Sequence, residues 1–267
     1  MKTRSYLVYA LLAFMQSCCM VDAQVVWLST KNPDFTDCDR EERDVKPFDA
    51  VSNTCPFDVI VEQSNEQYVV VEGDEEYFER LHTNVRRGVL EIEIDPARYR
   101  NVRLRVKVGF PDISQICMAG SGTVVCKSDI VTDGDFSVIS SGSGDIDTKK
   151  IKCANFQASV AGSSDVSILG VEAVDASISL AGSGDLTAKR IVSENLTISV
   201  AGSGDVEINS VDIDDTLSAS LAGSGDIDVS GKTRNASAKV VGSGDISGRL
   251  IYESISKVKS GSGDIDW

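Results

Sequence analysis

From Gly120 onward the chain repeats Gly-Ser-Gly-Asp, or a close variant of it, every nineteen to twenty-two residues. The first glycines of the motif are Gly120, Gly142, Gly162, Gly182, Gly202, Gly223, Gly242 and Gly261. A period near twenty, made of short apolar alternations, marks a solenoid whose units bury no core alone and must stack on one another. Aligned on the first glycine, most repeats have apolar residues six, four and two positions before it, as in Leu196, Ile198 and Val200. Others stand four and nine positions after it, as in Val206 and Val211. Period-two alternation gives a strand with one buried face. Three apolar ridges and two bends per repeat therefore predict an all-β fold, a right-handed parallel β-helix of about eight coils of roughly twenty residues.

The organisation along the chain follows. Residues 1–23 read as a signal peptide: Lys2 and Arg4 lead an apolar stretch over 6–15, too short to cross a bilayer, before a Val21-Asp22-Ala23 cleavage site. A lipoprotein signal, the alternative, would place lipid on Cys18. Residues 24–44 are polar and predict an irregular lead. Residues 45–111 predict a segment of short strands, with alternating Phe57, Val59 and Val61, then Val69 and Val71, then Leu90, Ile92 and Ile94, then Val102, Leu104, Val106 and Val108. A helical turn is expected over 74–82, with Tyr77 and Leu81 facing inward. Glu91, Glu93 and Asp95 oppose Arg103, Arg105 and Lys107 in sign, which predicts that these two strands pair. Residues 112–267 form the repeat.

The net charge is −15, and removal of the leader makes it one unit more negative by taking away two bases and one acid. An acidic surface repels phosphate backbones and anionic membranes, which argues against nucleic acid as a partner. No segment after the leader is apolar enough for a transmembrane span, and no cofactor motif is present. Five cysteines follow the leader. In an oxidising compartment Cys38 and Cys55 are expected to form a disulfide, and Cys117 or Cys126 could pair with Cys153. Two sequons, at Asn195 and Asn235, are candidate glycosylation sites.

The repeat also sets out the candidate chemistry. Asp145, Asp165, Asp185, Asp205, Asp226, Asp245 and Asp264 fall in one column, where Thr123 stands in the first repeat. Carboxylates about 4.8 Å apart repel by roughly 1 kcal/mol per neighbour in water, so something must offset the ladder. Hydrogen bonds from the amides or serine hydroxyls of each carboxylate's own bend would make the column structural. A row of bound Ca²⁺ is the alternative. A second column, seven positions before the glycine, holds Asp135, Asn155, Asp175, Asn195, Thr216, Asn235 and Ser254, all turn residues. The outward positions of the strand before the bend carry Ser177, Ser179, Thr197, Ser199, Ser218 and Ser220, a hydroxyl ladder that either covers a solvated sheet or meets an ordered ligand. Catalytic signals are sparse: the one histidine, His82, lies outside the repeat. Near-constant coil length leaves no long loops to wall a pocket.

The repeats at 141–146, 181–186, 201–206 and 222–227 resemble the family called putative auto-transporter adhesin, head GIN domain. So do residues 46–51, 57–61 and 88–92 ahead of them. The resemblance spans 45–267 and implies an exported, surface-type β-helical domain of unassigned activity. The leading expectation is a non-enzymatic extracellular or cell-surface β-helix that adheres to an unknown surface ligand, glycan or protein. A calcium-binding solenoid and a carbohydrate-active enzyme are the alternative functions. The family pattern marks bends, so it assigns no functional residue.

Overall fold

The computed structural model describes residues 26–28 and 34–267. The leader and its cleavage site lie outside the described residues, as does Cys18. The repeat forms a parallel β-solenoid of about eight turns. Each coil lays one strand before the Gly-Ser-Gly bend, one after it, and a short third one. The first sheet stacks Asn155–Gly162 on Asp175–Gly182 and that on 195–202, all in parallel register. Partners along the second sheet are Ile146, Val166, Leu186, Val206, Ile227 and Ile246. The third sheet aligns Ile151, Val171, Ile191 and Val211. These columns are the core: Ile178, Ile198, Leu217 and Ile227 are all buried. Because each apolar residue sits on its equivalent in the next coil, a twenty-residue unit with no interior of its own gains one by stacking.

The N-terminal segment adds two more layers, in an order the chain does not follow. Ala50–Asn53 lies between Val89–Ile94 and Gln115–Met118. Asp58–Gln63 likewise lies between Leu104–Phe110 and Thr123–Cys126. The chain thus builds the second layer first, leaves it, builds the outermost layer, and returns. The excursion covers the open end. Tyr68–Gly73 runs antiparallel to Leu104–Phe110, Leu81–Arg86 antiparallel to Val89–Ile94, and Asp39–Glu42 antiparallel to Tyr68–Gly73. The lead expected to be irregular therefore holds a strand, and Val26–Leu28 pairs with Arg98–Arg100. Between these strands Glu75–Arg80 forms the expected turn as a 3-10 helix, which buries Phe78 with Leu81, while Tyr77 stays half-exposed against Tyr99.

Two expectations from sequence are corrected here. The acidic strand of Glu91, Glu93 and Asp95 does not pair with the basic one. Arg103 binds Asp74, and Arg105 and Lys107 bind Glu72, because the strand that pairs with Leu104–Phe110 is Tyr68–Gly73. The Cys38–Cys55 disulfide is absent too, and none of the five described cysteines is in a disulfide. Cys55 is buried with its Sγ donating to the Ile92 carbonyl, whereas Cys38 donates to Phe35. Cys117, Cys126 and Cys153 stand on the first sheet, the second sheet and beyond the third, which keeps them apart. Burial pushes the Cys126 thiol up to about 12 and Cys153 to about 11, so both stay protonated and unreactive at neutral pH.

The other end closes differently. Lys257 and Lys259 are in register with Ala238 and Val240, so they occupy core columns of the last described coil. Lys257 Nζ donates to the carbonyls of Trp267 and Ile265, and Lys259 Nζ binds the Asp264 carboxylate. Trp267 Nε1 donates to the Ser247 carbonyl. Cations thus stand where a further coil would need apolar residues, which disfavours end-to-end docking of open strand edges. Replacing both with valine should produce concentration-dependent oligomers or fibres in sedimentation velocity. A double variant that remains monomeric at high concentration would show that the lysines do not guard this end.

Candidate functional site

The bend is the most repeated element, and its hydrogen bonds explain its sequence. In a typical coil the N–H groups of Ser203 and Gly204 both donate to the Gly182 carbonyl of the preceding coil, at 2.9 and 3.2 Å. The next N–H, of Asp205, donates to Asp185 Oδ1 at 2.9 Å. The same bond joins Asp165 to Asp145, Asp185 to Asp165, Asp226 to Asp205, Asp245 to Asp226 and Asp264 to Asp245. The carboxylates are therefore structural, but they bind the amide of the following coil, where their own bend was expected. Glycine holds the first position of every repeat bend because the bends touch. At Gly223, with φ of 149°, an added Cβ would lie 1.9 Å from the Gly202 carbonyl oxygen.

The ladder has a member that the repeat alignment missed. Asp58 is in register with Thr123, whose side chain and amide both hydrogen-bond to it. Burial pushes Asp58 up, against those hydrogen bonds and the charges of Arg105 and Lys127. Thr123 has no carboxylate, so the Asp145 N–H donates to the Gly122 carbonyl instead. The signal was present in Phe57-Asp58-Val59, which matches Gly-Asp-Val in all but the glycine.

One carboxylate per coil, with an oxygen committed to an amide, makes no multidentate set. Among the described residues, no group of three or more His, Cys, Asp or Glu side chains converges as a metal site. The second polar column is also a ladder. Asn155, Asn195 and Asn235 donate through Nδ2 to Asp135, Asp175 and Asp215 at 2.7 to 3.0 Å. Alternating amide with carboxylate removes the like-charge repulsion of an all-Asp column. Both sequon asparagines are thus half-exposed at a corner, with their amide nitrogens already engaged.

From Ser177 onward the first sheet presents an open face. Ser177, Thr197, Ser218 and Ser237 align in one column, Ser179, Ser199 and Ser220 in the next, and Ala181, Ala201 and Ala222 in a third. None of these residues is buried, none is charged, and the coil spacing of about 4.8 Å makes the face a regular lattice. Its neighbour across the bend is the acidic column.

Glu72 is the one buried carboxylate among the described residues, and it belongs to the N-terminal cap. Its side chain is 2% exposed and meets Arg40 at 3.1 Å, Arg105 at 2.6 Å and Lys107 at 2.9 Å. Burial alone would raise its pKa, but hydrogen bonds from Lys107 and Arg105 outweigh this and hold it below the ordinary glutamate value. A general acid would need the opposite shift. His82 pairs with Asp95 at 2.8 Å on the same cap, far from the open face in sequence and structure.

A family model described as putative auto-transporter adhesin, head GIN domain, matches residues 47–214. The chain belongs to this family. Solved structures agree with that. A putative lipid binding protein from Parabacteroides distasonis is 22% identical with a TM-score of 0.72, covering 90% of this chain and 98% of its own. A putative adhesin from the same organism is 19% identical with a TM-score of 0.75 and the same coverage. A putative adhesin from Parabacteroides merdae is 16% identical with a TM-score of 0.74, covering 91% and 99%. At these identities the likeness is one of fold. No curated protein matches the chain. Among the described residues no helix is long and apolar enough to cross a membrane.

The Glu72 clamp makes a pH prediction. Its lowered pKa means the clamp's stability is fully present above the ordinary glutamate range, near 4.3, and is lost as pH falls through the native value. Glu72→Gln should melt lower than the parent at pH 7, and the gap should close below about pH 4. Thermal melts across pH would show this, and a gap independent of pH would contradict it.

Proposed function

We propose that the chain is a non-enzymatic adhesion module, exported to the cell surface or beyond, which binds a surface glycan or protein through the hydroxyl face of its first sheet. The observation that carries this is the in-register array of Ser177 to Ser220, uncharged and open on a chain whose other faces are charged. Hydroxyls at fixed spacing suit a ligand that itself presents ordered hydrogen-bonding groups, and a rigid lattice loses little entropy on binding. Membership of an adhesin-named family supports surface interaction, as do solved relatives named as adhesins.

The test is a glycan array and a whole-cell binding assay, run with the parent and with Ser179→Glu, Ser199→Glu and Ser220→Glu combined. Three outward carboxylates should cost only their mutual repulsion, roughly 1 kcal/mol per neighbour, and weaken binding at least tenfold, about 1.4 kcal/mol. Unchanged binding by the triple variant would rule out this face. Shortened glycans in the wash would replace the adhesive reading with a carbohydrate-active one.

A further inference from the structure

The corner between the second and third sheets departs from the acidic character of the chain. Lys149 and Lys150 turn this corner in one coil, Leu169 and Gly170 in the next, and Lys189 and Arg190 in the one after. Two dibasic corners therefore stand two coils apart, about 10 Å, on either side of a saddle. Gly170 makes the dip: beyond it the nearest heavy atoms to an added Cβ are 3.6 and 3.7 Å away, in Arg190 and Lys150. Two shallow grooves, of about 350 and 320 Å³, open from the saddle onto the two sheets and share Leu169 as a wall.

These cations lack the partners their counterparts have. Lys152 pairs with Glu172 at 2.6 Å, and Lys232 with Asp212 at 3.0 Å. Arg190 reaches Asp212 at 3.6 Å only. Lys149, Lys150 and Lys189 are exposed and make no ion pair among the described residues. In a chain with net charge −15, three neighbouring lysines without an acid partner mark a place where the opposite charge is supplied from outside.

The rest of the lining narrows the ligand. Asp147 lies in the first groove and Asp129 in the second, and both would repel a polymer charged at every unit, such as polyphosphate. They would accept hydrogen bonds from sugar hydroxyls. Exposed Ser167 and Thr187 line the first groove with their hydroxyls 3.4 Å apart, and Leu169 offers an apolar surface to a ring face. We infer that the saddle at Leu169-Gly170 is a binding site for an acidic polysaccharide, with carboxylates held by Lys149-Lys150 on one side and Lys189-Arg190 on the other. The site is separate from the hydroxyl face of the first sheet, so each stands or falls by itself.

The experiment is affinity electrophoresis and calorimetry of the full chain at low salt. The probes are hyaluronate, which carries a carboxylate on alternate sugars, dextran as the neutral polymer, and inorganic polyphosphate. The parent should bind hyaluronate, ignore dextran, and lose affinity as salt is raised. Lys149→Glu combined with Lys189→Glu should weaken hyaluronate binding at least tenfold without lowering the melting temperature, since both side chains are exposed. Lys232→Glu, on the third sheet, and the triple serine-face variant should bind as the parent does. Failure of the parent to bind hyaluronate, or equal binding by the double variant, would overturn the site. Tighter binding of polyphosphate than of hyaluronate would overturn the ligand class.

Discussion

In the bends from Asp165 onward the third amide binds no carbonyl, and the solenoid depends on how that amide is satisfied. Two consecutive N–H groups converge on one glycine carbonyl of the preceding coil, and the next points past it. An aspartate in that coil supplies the missing acceptor. A charge-assisted hydrogen bond contributes roughly 1.5–3 kcal/mol, against like-charge repulsion of roughly 1 kcal/mol per neighbour in water. The ladder is therefore favourable at each step although it gathers charge along one face. The chain's acidity follows in part from this need, so the aspartate column is a consequence of the fold before it is a surface for partners.

A ladder of this kind is directional, and its ends need separate chemistry. At the N-terminal end Asp58 takes the Thr123 amide and stands in register with Arg105. At the other end Lys259 occupies the Asp264 carboxylate. The two caps differ because the ends differ. Antiparallel strands cover the first, clamped by Glu72, whereas charge protects the second. The sides are left for ligands: a neutral hydroxyl lattice on one and a basic saddle on another.

The repeat made most of the solenoid legible because two periodicities agree. Alternation fixes which side chains face inward, and the twenty-residue period fixes which residues stack, so Leu180, Val200 and Leu221 had to form one column. The N-terminal layers share the alternation but lack the period. Cys55-Pro56-Phe57 occupies the place of Gly-Ser-Gly, which hid both Asp58 and the reversed order of the layers. Charge complementarity misled for the same reason: Arg103, Arg105 and Lys107 match several acidic strands, and only the layer order selects Glu72 and Asp74. The saddle could not be read from the motif either, since it arises where Lys149-Lys150 and Lys189-Arg190 fall on one corner and Leu169-Gly170 interrupts them.

The ladder's role is tested most directly at Asp205, whose Oδ1 accepts the Asp226 amide at 2.7 Å. Asparagine keeps an acceptor there and removes a charge, and alanine removes both. Thermal and denaturant melts of the two variants, with hydrogen exchange read at the Asp226 amide, separate these contributions. Asp205→Asn should melt at or above the parent and protect that amide. Asp205→Ala should lose about 1–3 kcal/mol and expose it to exchange. Equal loss in both variants, or a parent melting temperature that falls by many degrees on chelation of Ca²⁺, would contradict a column held by amides alone.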